Sequence, residues 1–144
     1  MKMQHILLAT DGSDAASRAV DVAAALATAM GSKLSIVTVG RDASGDEFGA
    51  PAQHQRNLED EVNPKQILEN AKELARRAGV SDVRVQLGRG EPAEVIIESA
   101  RREKVDAIVV ARRSRGLVSQ KVSSLAPCIV IVVPGRRCGP VSTL

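Results

Sequence analysis

Three short stretches carry the residue types that could do chemistry. The first is Thr10-Asp11-Gly12-Ser13-Asp14, which follows the apolar run Ile6-Leu7-Leu8-Ala9. A carboxylate at the end of a strand can accept from a ribose hydroxyl. With Ser13 or Asp14 it can equally cap the helix that follows. Gly12 suits either a close main-chain approach to a ligand or a plain turn. The second stretch, Arg112-Arg113-Ser114-Arg115, gathers three guanidinium groups. Such a cluster can grip phosphate oxygens through paired hydrogen bonds, or it can be a solvated loop. The third is Ser119-Gln120-Lys121. A Ser and a Lys so spaced lack the geometry of a nucleophilic dyad, so packing or capping is expected of Ser119.

The remaining reactive types are sparse. Cys128 precedes an apolar run and reads as a small buried hydrophobe. Cys138 lies beyond it, near Arg136 and Arg137. Two cysteines make neither a disulfide framework nor a zinc site by themselves. His5 and His54 are the only histidines, and both are read as solvated. No metal site is expected. No general base, nucleophile and oxyanion donor stand together, so no dedicated enzyme is expected either.

Composition narrows the classes further. At 144 residues and net charge +3, the chain suits one domain and carries too little charge for nucleic-acid binding. It has no Trp, no Tyr and one Phe, Phe48. That excludes stacking platforms for bases and aromatic cages, and leaves a core of Val, Ile, Leu and Ala. No apolar run approaches the ~20 residues of a membrane span, and no signal-peptide core precedes the first strand. A cytoplasmic location is the expectation.

The elements that must position these residues follow from patterning. Ile6–Ala9 reads as a strand buried on both faces. Ala15 to Met30 reads as a helix with Ala16, Ala19, Val20, Ala23 and Ala27 inward, stopped by Gly31. Leu34–Val39 is a second strand, and residues 40–57 a long mobile loop. A helix from about Leu58 or Pro64 to Gly79 would bury Val62, Ile67, Leu68, Ala71, Leu74, Ala75 and Ala78. Val83–Leu87 alternates, as an edge strand does. Pro92 opens a helix to about Lys104, with Val95, Ile96, Ser99 and Ala100 inward. Asp106–Val110 and Ile129–Val133 are strands, with a short helix over Leu117–Leu125 between them. Residues 1–135 then form the domain and 136–144 a tail. This alternation predicts an α/β fold with a parallel sheet and helices on both faces. A phospho-receiver fold is excluded, because Asp11 lacks the adjacent carboxylates that would hold Mg²⁺.

Four segments in register carry a family resemblance. Ile6-Leu7-Leu8-Ala9-Thr10-Asp11-Gly12-Ser13 resembles the opening strand of the universal stress protein family. Gly90-Glu91-Pro92-Ala93-Glu94-Val95-Ile96 resembles its turn into the third helix, and Asp106–Val110 its fourth strand. Val118-Ser119-Gln120-Lys121-Val122, Ala126-Pro127-Cys128 and Ile129–Val133 resemble its closing segment. The resemblance implies a Rossmann-like, five-stranded parallel sheet ordered 3-2-1-4-5. Its ligand site would be the switch point between strands one and four.

In nucleotide-binding members an acidic residue after strand one and main chain at the end of strand two hold the nucleoside. A Gly-x-x-Gly-x9-Gly-Ser/Thr loop holds the phosphates. Asp11 and Val39 match the first two positions. Ala111 stands at the first Gly, Ser114 at the second and Gly116 at the third, and Leu117 replaces the hydroxyl residue. Ala111 to Gly116 spans five positions where that motif needs thirteen, so the phosphate loop is short and degenerate. The candidate nucleotide-binding residues are Asp11, Val39, Ala111, Arg113, Ser114, Gly116 and Val118.

The resemblance implies a small cytoplasmic regulatory or binding module of the stress response. The alternative is an adenine-nucleotide sensor or slow ATPase using Asp11 and the arginine loop 112–116. No cofactor is required; ATP or AMP is the candidate ligand, with Mg²⁺ if it is ATP. An open apolar edge strand invites pairing, so a homodimer through Ile129, Val130, Ile131, Val132 and Val133 is expected, unless the tail covers that edge. The residues name no protein partner, and neither nucleic acid nor membrane is expected as one.

Overall fold

Ile6, Leu7 and Leu8 are fully buried because β1 (His5–Ala9) runs through the middle of a sheet covered on both faces. The computed structural model describes residues 3–40, 63–112 and 117–134. The expected loop 40–57 beyond residue 40, Arg113, Ser114, Arg115, Gly116, His54, Cys138 and the tail lie outside those residues. β2 (Lys33–Gly40), β3 (Val83–Arg89), β4 (Ala107–Arg112) and β5 (Ile129–Pro134) complete the sheet. The order is β3-β2-β1-β4-β5 and every pairing is parallel, as expected.

The helices divide between the faces. α1 (Asp14–Met30) and α2 (Pro64–Arg77) pack with Ile6, Leu8, Leu34, Ile36 and Val109. α3 (Pro92–Glu103) and α4 (Leu117–Leu125) pack on the other face with Leu7, Val37 and Ile108. α1 meets the sheet through Ala16, Ala19, Val20, Ala23, Ala24 and Ala27, all buried. Small side chains let its axis lie close to the strands. Gly31 ends it in the left-handed conformation and donates to the Ala27 carbonyl.

Several details differ from expectation. In α2 only Leu68, Ala71 and Ala75 are buried; Leu74 is 42% exposed and Ala78 is exposed. A stripe of three residues is enough, because among the described residues α2 packs chiefly on β3, β2 and α1. β4 starts at Ala107 and continues to Arg112, since β5 pairs with it that far. Asp106 stands just before it and staples β4 to β1, its carboxylate accepting from the Gln4 and His5 amides at 2.8 and 3.1 Å.

His5 is not solvated. Its Nε2 lies 2.7 Å from Ser35 Oγ and 3.4 Å from Glu103 Oε1. The Ser35 hydroxyl donates to Glu103 at 2.8 Å, and Gln86 Nε2 donates to its other oxygen at 2.9 Å. This network ties the last residue of α3 to β1, β2 and β3 at the amino end of the sheet. Burial pushes the His5 imidazole below its ordinary value; Glu103 opposes this, and Lys33 and Arg84 add to it.

Two outcomes follow. Ala23→Leu forces a larger side chain between α1 and the sheet and costs about 1–3 kcal/mol, read as a lower urea midpoint at unchanged slope. The depressed His5 value means the unfolded chain binds the proton more tightly. Its contribution to stability is full above about pH 6.5 and is lost as pH falls through the lower folded value. Urea titrations across that range show falling stability, and His5→Gln flattens the dependence.

Candidate functional site

β1 is shorter at its carboxyl end than the strands on either side. Ala9 pairs with Val37 and with Val110. β2 then continues through Thr38, Val39 and Gly40, which pair onward with β3. β4 continues through Ala111 and Arg112, which pair onward with β5. Among the described residues this leaves a notch over the end of β1, at the switch point of the sheet, where α/β folds place their ligands.

The notch is made by an exchange of hydrogen bonds. The ladder between β1 and β2 ends with the Thr10 amide donating to the Val37 carbonyl at 3.0 Å. A continued parallel ladder would next take the Val39 amide to the Thr10 carbonyl and the Gly12 amide to the Val39 carbonyl. Instead the Thr38 hydroxyl donates to the Thr10 carbonyl at 2.6 Å. The Gly12 amide turns to Thr10 Oγ1 at 3.3 Å. Among the described residues the Val39 N–H and C=O, on the β1 side of β2, take no ladder partner. A peptide donor beside a peptide acceptor is a recognition edge, and main-chain groups that lack ladder partners require others.

Asp11 sits on the rim, exposed. Its Oδ1 accepts from the Ser13 amide at 2.9 Å, an Asx turn that fixes the carboxylate's position. The helix cap is Ser13, whose Oγ accepts from the Ala16 amide at 3.1 Å. Capping thus falls to Ser13, and Asp11 stands two residues before it, just past the carboxyl end of β1. Gly12 has φ +82°, and a Cβ there would lie 2.9 Å from Ile67 of α2. Both the positive φ and the Ile67 side chain favour glycine in this turn.

The other expected residues are less concentrated. Val39 and Ala111, both half-buried, flank the notch on β2 and β4. Val118 lies in the first turn of α4 and packs into the core on the α3 and α4 face, as Ala9 does. Arg112 is exposed at the end of β4. Ser119 is buried in α4. Lys121 pairs with Glu91 at 3.5 Å, and Glu91 Oε1 also accepts from the Glu94 amide as the cap of α3. That amide, with help from Lys121, holds the Glu91 carboxyl below its usual range. Cys128 is half-buried, and burial pushes its thiol up, away from a reactive thiolate. Among the described residues no group of three or more His, Cys, Asp or Glu is placed to hold a metal ion.

Sequence reading missed Thr10 and Thr38 as parts of this site. Thr10 reads as the start of a turn after the first strand, and Thr38 as an ordinary strand former. Their shared signal is placement: both stand near the carboxyl ends of adjacent strands.

Comparisons with known proteins bear on the chain as a whole. The model of the universal stress protein family matches residues 2–134. The universal stress protein YxiE of Bacillus subtilis is 37% identical, over 89% of this chain and 97% of its own. A universal stress protein of Thermus aquaticus is 39% identical, over 89% and 96%. Among solved structures, a universal stress protein in complex with cAMP has a TM-score of 0.74 at 28% identity, covering 94% of this chain and all of its own. The universal stress protein of Archaeoglobus fulgidus in complex with dAMP has a TM-score of 0.69 at 25% identity, covering 92% and 99%. With its sheet order, its switch-point notch and a family match across almost its whole length, this chain belongs to the universal stress protein family.

Proposed function

We propose that this chain is a regulatory binding module of the stress response, acting in the cytoplasm as a homodimer, and that it takes an adenine nucleoside monophosphate in the notch above β1. The observation that carries this reading is the unladdered Val39 peptide. Its N–H suits an acceptor ring nitrogen and its C=O suits an exocyclic amino group, which is the pattern of adenine. Guanine reverses that order. Asp11 accepts from the ribose hydroxyls at the rim. Relatives solved with cAMP and dAMP support the same ligand class.

The phosphate side argues for a short ligand. Ala111 to Gly116 spans five positions, against thirteen in the glycine loop that wraps a triphosphate. Ala111, Arg113, Ser114, Gly116 and Val118 remain the candidate phosphate-side residues. Guanidinium groups can neutralise one phosphate without a main-chain cradle. No catalytic role is assigned. The dimer reading rests on β5, an edge strand whose Ile129 and Val132 are 39% and 38% exposed, with Val130, Ile131 and Val133 beside them. Main-chain groups on such an edge pair readily with a second copy.

Thermal unfolding tests the ligand. AMP at 100 times its Kd stabilises the protein by about 2.7 kcal/mol, and GMP gives no shift. A larger shift with ATP and Mg²⁺ than with AMP moves the reading to a triphosphate sensor using the arginine loop 112–116. No shift with any nucleotide removes the ligand from the proposal. Asp11→Ala weakens AMP by about tenfold or more, as loss of a charged hydrogen-bond acceptor does. Sedimentation tests the dimer: the native chain runs as a dimer and Val132→Glu as a monomer. A native monomer sinks that part of the reading.

A further inference from the structure

We infer that Thr38 is a positioning residue of the notch: its hydroxyl takes the Thr10 carbonyl out of the strand ladder and so presents the Val39 peptide to the nucleobase. This rests on the nucleotide reading above and adds the device that makes the site.

Thr38 is 2% exposed and Thr10 is 7% exposed, so the hydroxyl and the carbonyl it serves are both shut away from water. A buried carbonyl needs a donor. At this position the register offers two, the Val39 amide and the Thr38 hydroxyl, and the 2.6 Å bond goes to the hydroxyl. The second exchange reinforces the first. The Gly12 amide, which the ladder would send to the Val39 carbonyl, is taken by Thr10 Oγ1 at 3.3 Å. Two threonine hydroxyls thus stand in for two strand bonds, and both halves of the Val39 peptide are released together. The Asx turn of Asp11 and the left-handed turn at Gly12 follow directly after Thr10. The hydroxyl therefore also fixes where the carboxylate begins its reach.

Valine has the shape of threonine without the donor. In Thr38→Val the Thr10 carbonyl has one donor left within the register, the Val39 amide, and the ladder extends by one bond. Thr38→Ser keeps the hydroxyl. Amide hydrogen exchange of the unliganded protein reads this directly. The Val39 amide exchanges freely in the native chain and in Thr38→Ser, and becomes protected in Thr38→Val. AMP binding by calorimetry falls at least tenfold in Thr38→Val and returns in Thr38→Ser, while both variants keep the native far-ultraviolet dichroism.

Equal protection of Val39 in the native chain and in Thr38→Val overturns the inference. So does altered exchange with undiminished AMP affinity in Thr38→Val. The exchange arm needs no ligand, so a native chain that binds no AMP sinks the nucleotide reading separately from the strand exchange. Loss of dichroism in Thr38→Val with full AMP affinity in the remaining folded fraction would assign Thr38 to packing and overturn its positioning role.

Discussion

The Thr10 carbonyl accepts from a buried threonine side chain, and the shape of the upper sheet depends on that bond. A parallel sheet has no intrinsic reason to stop one strand before its neighbours. β1 stops because its next acceptor is already satisfied and its next donor has turned back on Thr10. From there the chain can leave the sheet, make a left-handed turn at Gly12 and enter α1 through the Ser13 cap. Ile67 of α2 closes over Gly12, so the turn is clamped from above as well as held from below.

Much of this was legible in the residues. The apolar run Ile6–Ala9 has the character of a strand buried twice over, and the alanine stripe of α1 states its inward face residue by residue. Gly31, Pro92 and the alternation of β3 mark boundaries by local chemistry alone. Asp11 and Val39 come from the resemblance; one follows β1 and the other lies near the end of neighbouring β2. The unread parts are those that act between distant positions. His5 looks like a polar residue ahead of a strand until Ser35 and Glu103 arrive from β2 and α3. Leu74 fits a helical stripe but lies outside the narrow contact that α2 makes. Thr38 resembles any strand threonine until the register sets its hydroxyl against Thr10.

The two ends of the sheet treat polarity in opposite ways. At the amino end, His5, Ser35, Gln86 and Glu103 satisfy one another across three strands and a helix. A network of that kind resists rearrangement, because its half-buried members and the buried Ser35 hydroxyl hold one another in place. At the carboxyl end two threonine hydroxyls take up groups that a continued ladder would have used. Rigidity below supports openness above, and β1, pinned by Asp106 at one end and by Thr38 at the other, is the strand both ends share.

The core achieves this with aliphatic side chains alone. Ile6, Leu7, Leu8, Leu34, Ile36 and Ile108 are its largest fully buried members, and the chain contains neither Trp nor Tyr. A protein so built is nearly transparent in the near ultraviolet. Any purine retained through purification would dominate its absorption spectrum, so the colourless core makes the molecule its own optical blank for whatever occupies the notch.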